Sequence, residues 1–325
     1  MEQANPARSG QRNLVTGASG FVGRTLIEAL MAQGEAVFAL TRGTPPSDSL
    51  AQWRVCDLVE GDIRGLVRAI GPTRIYHLAG YSDAGASVRN PEAAHRDNVV
   101  ATERLLAAVR TLEAPPRILH VSTGHVYGRP APGTDVFDET SPLRPETPYA
   151  ESKAVAEAAI ERFGAETGIE IVRVRPFNHT GPCQSPRFAI PGFAQRLGLI
   201  ARGLEPPILK TGNLDVERDV CDVRDVVEAY VLLLERGLPG EVFNVASGTS
   251  VSMRTIVERM IELSGLKVEL RTAEELVRVG EPARVRVSID KLRQLGWSPR
   301  FRLDETLAAT LAAWMPGGLN EGKQE

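Results

Sequence analysis

Tyr149 and Lys153 stand four residues apart in Pro148-Tyr149-Ala150-Glu151-Ser152-Lys153, a spacing that puts both side chains on one face of a helix. A phenol with a pKa near 10 is a poor acid or base at neutral pH. A lysine ammonium about 4 Å away, at an effective dielectric of about 20, is worth roughly 4 kcal/mol, or about 3 pKa units before desolvation opposes it. Such a pair could pass a proton to or from a sugar or steroid oxygen near neutral pH. The plainer alternative is an ordinary amphipathic helix start with an exposed lysine. Upstream residues decide between the two.

The helix itself is announced by Thr147, a side-chain oxygen suited to capping, and by Pro148 at the first helical position. Asn13-Leu14-Val15-Thr16 reads as a buried strand running into Gly17-Ala18-Ser19-Gly20-Phe21-Val22-Gly23, and a helix follows to about Gln33 with Leu26, Ile27, Leu30 and Met31 on one face. Glycines at such a turn let the backbone approach a pyrophosphate, and the helix start supplies N–H donors. A second strand, Ala36–Leu40, ends in Thr41-Arg42-Gly43. An acidic residue there would suit an adenosine 2′-hydroxyl, whereas Arg42 suits a 2′-phosphate, so NADP(H) is favoured and NAD(H) remains possible as the cofactor.

Val55-Cys56-Asp57-Leu58 reads as the end of a third strand, with Asp57 placed to touch an adenine amino group. Arg74-Ile75-Tyr76-His77-Leu78-Ala79-Gly80 reads as the fourth, and small residues at its end would let a cofactor ribose lie close. A helical pattern spans about Asn98–Leu112, and Arg117–Val121 gives a fifth strand ending in Ser122-Thr123-Gly124-His125. Thr123 thereby brings a hydroxyl to the Tyr-Lys helix. Strands alternating with helices predict an α/β fold with a doubly wound parallel (Rossmann) sheet and ligands at its strand C-termini.

The chain has 325 residues, 42% of them hydrophobic, enough for a full core in one large domain or two unequal lobes. A net charge of −3 without any Lys/Arg run argues against nucleic acid and anionic membrane as partners. The start is polar, no apolar run is long enough to cross a bilayer, and Cys56, Cys183 and Cys221 are scattered. These features suggest a cytoplasmic protein with reduced thiols and no metal site.

With these residues in view, the chain resembles the extended short-chain dehydrogenases/reductases that modify nucleotide sugars, over about residues 13–315. The resemblance implies that Thr123, Tyr149 and Lys153 form a catalytic triad, with Thr in place of the commoner Ser. It implies cofactor contacts from Gly17, Ser19, Gly20, Phe21, Val22, Gly23, Arg42, Asp57, Leu58, Leu78, Ala79, Gly80, Asn98 and Pro176, besides Tyr149 and Lys153. Arg175-Pro176-Phe177-Asn178-His179-Thr180-Gly181-Pro182, then Gln184–Phe188 and Gly212-Asn213-Leu214, are similar to GDP-4-keto-6-deoxy-D-mannose reductases.

By that similarity the substrate is a nucleotide-diphosphate sugar, GDP-linked. Asn178 meets the sugar or a diphosphate oxygen, Arg218 and Arg278 meet the diphosphate, and Glu281 a ribose hydroxyl. Thr123, His125, Arg187 and Asn213 complete the substrate set. The expected organisation is a dinucleotide-binding domain of residues 12–178 plus 218–246, and a smaller C-terminal α/β substrate lobe of 179–217 plus 247–315. Flexible tails at 1–11 and 316–325 flank them. A homodimer is expected through the helices near Asn98–Leu112 and Tyr149–Phe163.

Three activities fit the resemblance: reduction of a 4-keto nucleotide sugar, NAD-dependent 4-epimerisation and 4,6-dehydration. The family's dehydratases carry a carboxylate directly after the catalytic hydroxyl, and here those positions are Gly124 and His125. A catalytically silent cofactor-binding protein would be expected to lose Tyr149 or Lys153, and both are present.

Overall fold

Short apolar runs between glycines and polar residues become the strands of one parallel sheet. The structure, a computed structural model of the chain, describes residues 10–46, 51–130, 136–276 and 283–318. The central strands are β1 (Arg12–Thr16), β2 (Ala36–Thr41), β3 (Gln52–Val55), β4 (Arg74–His77), β5 (Arg117–Val121), β6 (Ile171–Pro176) and β7 (Val242–Val245). All pair in parallel, in the order β7-β6-β5-β4-β1-β2-β3.

Successive residues of a strand serve opposite faces of the sheet. Val15, Tyr76, Leu119 and Val172 join the core under the helices Phe21–Ala32 and Val223–Arg236. Their neighbours Leu14, Ile75, Ile118 and Ile171 join the core under Ile63–Ile70, Ala101–Val109 and Pro148–Thr167. Both faces are therefore covered, which is the doubly wound α/β arrangement expected from the alternating elements. A third buried cluster, with Ile190, Leu197, Ile256, Met260, Leu307 and Trp314, joins the helices Ala189–Ala201, Met253–Ser264 and Leu303–Ala312. Beside it, Ile208–Thr211 pairs with Glu269–Thr272 and Glu217–Asp219 with Ser250–Ser252. No helix among the described residues is long and apolar enough to cross a membrane.

One element departs from the periodicity. The single helix expected at 98–112 is Pro91–His95, a π-helical turn over Arg96–Val100, and Ala101–Val109. The Ala101 N–H reaches back five residues to the Arg96 carbonyl. Such a turn widens the helix and re-aims its side chains; here it is locked from below by His77.

Thr102 Oγ1 donates its one proton to the Asn98 carbonyl at 2.6 Å, so His77 Nε2, 2.9 Å from that oxygen, carries the ring proton. Nδ1 of the neutral ring then accepts from Thr16 Oγ1 at 2.8 Å, and Thr16 Oγ1 accepts the Ala79 N–H at 3.1 Å. A single chain of hydrogen bonds thus ties the C-terminal ends of β1 and β4 to the π turn.

Burial lowers the His77 pKa to about 3, helped by the nearby Lys153 charge. Its cross-strand neighbour His120, ring centroid 5.5 Å away, is held well below its ordinary value by the same burial, by His77, and by Lys153 and Arg173. Both rings stay neutral in the folded chain while the unfolded chain protonates them below pH 6.5. Stability is therefore complete above that pH and lost as the pH falls through it. Between pH 6.5 and 5 the loss should be about 2 kcal/mol per histidine. Urea denaturation at pH 7 and pH 5 checks this, and His120→Leu should remove roughly half of the difference.

Candidate active site

The sheet order reverses between β1 and β4, and the crevice outside their C-terminal ends is where open α/β sheets take ligands. Gly17 turns the chain there with φ +68°, and a Cβ on it would lie 2.8 Å from the Ala79 backbone nitrogen. Gly20 caps the following helix without a side-chain bond to its first N–H groups. A bare turn opening on an uncapped helix start fits a dinucleotide pyrophosphate. Ser19 Oγ accepts from Thr41 Oγ1 at 3.1 Å, joining the turn to the end of β2, while Phe21, Val22 and Gly23 begin the helix.

The helix Pro148–Thr167 starts as expected: Thr147 Oγ1 accepts the Ala150 N–H at 3.2 Å, and Gly168 ends it in the left-handed region at φ +70°. Tyr149 and Lys153 both point inward and are buried at 8% and 5% exposure, which removes the exposed-lysine alternative. Thr123 follows β5 in extended conformation and caps the turn Gly124–Tyr127, its Oγ1 accepting the His125 N–H at 3.2 Å. A hydrogen bond joins the Thr123 hydroxyl to the Tyr149 phenol. The His125 ring meets Tyr149 edge-on, with ring centroids 6.0 Å apart. The structure therefore brings Thr123, His125, Tyr149 and Lys153 to one place.

The electrostatics differ from the expectation of a lysine-lowered phenol. Burial raises the Tyr149 pKa, and the Thr123 hydrogen bond only partly opposes it. Burial also lowers Lys153 to about 8, against the pull of Glu157. Desolvation of both groups is the reason, and the buried ammonium keeps an acceptor, Lys153 Nζ donating to the Val121 carbonyl at 2.9 Å.

The space beside this lysine admits no side chain at residue 80. A Cβ on Gly80 would lie 3.1 Å from Lys153 Nζ and would strike Asn98 Oδ1. Asn98, in the π turn, accepts the Tyr81 N–H at 2.8 Å and donates to Ser152 Oγ at 2.8 Å. Ser152 and the π turn were not singled out from the sequence. The i→i+5 turn leaves no compositional mark, although a serine beside an expected catalytic lysine was a usable signal.

The remaining residues are more dispersed. Leu78 and Ala79 line the end of β4, Leu58 is buried beyond β3, and Pro176 ends β6. Asp57 lies two residues past β3, with Oδ1 accepting from the Val59 and Glu60 N–H groups at 2.7 and 3.1 Å. Burial works against its charge, but these N–H groups and the charges of Arg96 and Arg42 hold its pKa below the usual value. Arg42 is exposed and pairs with Asp97 at 3.0 Å.

Asn178 Nδ2 donates to the Asp219 carbonyl at 3.3 Å, Arg187 Nε to Ser185 Oγ at 3.2 Å, and Arg218 Nη1 to the Glu217 carbonyl at 2.7 Å. Asn213 is exposed and accepts the Asp215 N–H at 3.0 Å. Arg278 and Glu281 lie outside the described residues.

Beneath the lysine, Glu157 is buried against Arg175, which also donates to Tyr127 Oη at 2.9 Å. Tyr127 Oη in turn donates to Asn244 Oδ1 at 2.7 Å. Removing one charge from a buried pair strands the other. Glu157→Gln should therefore cost about 3 kcal/mol in chemical denaturation, more than an exposed glutamate would.

Comparison with known proteins gives the family. The chain is 33% identical over 305 residues to the GDP-6-deoxy-D-mannose reductase of Pseudomonas aeruginosa, covering 94% of this chain and 97% of that one. The structure of RMD from Pseudomonas aeruginosa complexed with NADPH superposes with a TM-score of 0.82 at 32% identity, covering 94% and 98% of the two chains. The UDP-glucose 4-epimerase of Thermus thermophilus complexed with NAD does so with a TM-score of 0.82 at 29% identity, covering 93% and 98%. The sequence model of the GDP-mannose 4,6 dehydratase family matches residues 14–310, and the chain belongs to that family, among the extended short-chain dehydrogenases/reductases of the nucleotide-sugar type.

Proposed function

We propose that this protein is an NADPH-dependent reductase of the C4 keto group of a nucleotide-linked 4-keto-6-deoxy sugar. The substrate is GDP-4-keto-6-deoxy-D-mannose, and the product is GDP-D-rhamnose or its 6-deoxy-talose epimer. The observation that carries the reading is the buried convergence of Thr123, Tyr149 and Lys153 without a carboxylate beside the hydroxyl. At the next position, a Cβ on Gly124 would lie 2.9 Å from the Phe177 ring, so the place where the family's dehydratases carry an acid is filled. The similarity to the Pseudomonas reductase and to its NADPH complex supports the same choice.

Bound NADPH would supply hydride to C4 of the sugar. The chain's own residues handle the proton. Tyr149, kept protonated at neutral pH by its raised pKa, gives its proton to the C4 oxygen as charge develops there. Thr123 hydrogen-bonds the same oxygen. Lys153, with a pKa of about 8, holds a cofactor ribose hydroxyl and keeps a positive charge beneath the site at pH 7. Arg187, Asn213, Arg278 and Glu281, on a lobe of residues 179–217 plus 247–315, are proposed to hold the nucleotide sugar together with Asn178 and Arg218, which stand at the bordering ends of the cofactor domain, residues 12–178 plus 218–246. The separate cluster around Ile190, Met260 and Trp314 supports that division.

The epimerase remains the second reading, favoured by the Arg42–Asp97 pair, which occupies the arginine a 2′-phosphate would use, and by the likeness to an NAD-containing epimerase. Protein purified with stoichiometric NAD, interconverting two sugar nucleotides without added cofactor, would establish it instead.

Three outcomes follow from the reductase reading. Supplied with NADPH, the protein should turn over the GDP-linked ketosugar, with the product identified by NMR. Turnover of only the dTDP counterpart would remove the guanine assignment, and GDP-mannose should give no 4-keto-6-deoxy product. Tyr149→Phe should lower turnover on the order of 10²–10⁴-fold while NADPH binding is nearly unchanged. The half-exposed Val155 on the Pro148–Thr167 helix supports a homodimer, expected as the dominant species in sedimentation at micromolar concentration.

A further inference from the structure

We propose that Asp97 sets the dinucleotide preference of this protein by occupying the arginines that would otherwise read an adenosine 2′-phosphate. The inference rests on the cofactor reading above. The end of the second strand is where this type of fold distinguishes a ribose hydroxyl from a phosphate. There, Arg42 directs Nη1 to Asp97 Oδ2 at 3.0 Å. The other oxygen, Asp97 Oδ1, takes Arg96 Nη1 at 2.9 Å. Arg96 Nη2 in turn lies 3.6 Å from Asp57 Oδ2 and 3.5 Å from Glu60 Oε1. One carboxylate therefore bridges two guanidinium groups across the ends of β2 and β3 and the π turn.

The charge balance gives this bridge its consequence. Two arginines meet three carboxylates, so the cluster carries a formal charge of −1. A 2′-phosphate entering it must draw Arg42 away from Asp97 and then lie near the carboxylate left behind. A ribose hydroxyl meets neither cost. Arg42 is 61% exposed while Asp97 is 15% exposed, so the guanidinium is the partner with freedom to swing away. Arg42 alone would favour NADPH strongly; with Asp97 opposite, the chain accepts both cofactors with a modest preference for NADPH.

Repulsion between a carboxylate and a dianion about 6 Å apart in water is worth roughly tenfold in affinity, reduced to about threefold by physiological salt. The test is calorimetric titration of NADPH and NADH, and of 2′,5′-ADP and 5′-AMP, into wild type, Asp97→Asn, Arg42→Ala and the double variant. The ratio of two affinities in one variant does not depend on how much of that variant is folded. Wild type should favour NADPH by no more than about tenfold. Asp97→Asn should raise the ratio roughly 3- to 10-fold and make it fall more steeply with salt, and adding Arg42→Ala should abolish the gain. If Arg42→Ala lowers the ratio but Asp97→Asn leaves it unchanged, the role of Asp97 is overturned and the cofactor reading stands. If Arg42→Ala leaves the ratio unchanged, the 2′-phosphate subsite itself is overturned. If wild type binds neither dinucleotide, the cofactor reading falls and the inference with it.

Discussion

Burying the Lys153 ammonium is the constraint from which most of the surrounding arrangement follows. A lysine head taken from water must keep its hydrogen bonds or lose its proton. It finds one acceptor in the Val121 carbonyl and still titrates at about 8. Four residues further along the same helix face, Glu157 offsets part of the burial. A buried glutamate needs its own partner, and Arg175 supplies it; Arg175 then leans on Tyr127, and Tyr127 on Asn244 in the last strand of the sheet. Gly80 is the steric counterpart, since any side chain there would press on both Asn98 and Lys153. One functional charge thus draws in groups from three strands, the turn Gly124–Tyr127, the π turn, the Tyr-Lys helix and the segment after β4.

The two ends of the crevice are built on opposite electrostatic principles. Around Tyr149 and Lys153 the groups are buried, few and shifted by desolvation, so small changes of position alter protonation strongly. Around Arg42, Arg96, Asp57 and Asp97 the groups are more exposed, numerous and mutually compensating, and water and salt temper each pair. The first arrangement suits proton transfer, where the state of one phenol matters. The second suits graded discrimination between ligands that differ by one phosphate. The hydrogen-bond chain from Ala79 through Thr16, His77 and Thr102 to Asn98 lies between them. It holds the floor of the crevice with neutral groups and adds no charge to either end.

The parts legible from sequence are those with local signatures. Adjacent apolar residues such as Leu14-Val15 and Ile118-Leu119 mark strands buried on both faces, and the glycines from Gly17 to Gly23 mark the turn. The Thr-Pro start of the Tyr-Lys helix was also readable, since capping is a local property. What escaped depends on partners distant in sequence or on hydrogen-bond pattern alone. The π turn at Arg96–Val100 differs from an α-helix by one shifted backbone bond, which residue types do not reveal. Arg42 and Asp97 are 55 positions apart, so an arginine read as available for phosphate has a carboxylate that only the fold brings to it. The phenol pKa direction escaped for a related reason: the spacing of Tyr149 and Lys153 is sequential, but the burial that raises the phenol is tertiary.

The raised phenol pKa bears on which direction of the shared chemistry this scaffold favours. A reductase needs Tyr149 protonated before hydride arrives, and desolvation supplies that state without help from a neighbouring cation. An epimerase must begin by taking a proton from a sugar hydroxyl, which calls for the phenolate. A dehydratase needs the phenolate and, in addition, an acid and a base over the neighbouring carbons. Here Phe177 fills the space next to the hydroxyl that such an acid would occupy, and Gly124 is the residue that lets the ring in. The same Thr-Tyr-Lys set can thus sit in a family named for dehydration without room for an acid beside the hydroxyl, because one glycine is packed against one aromatic ring.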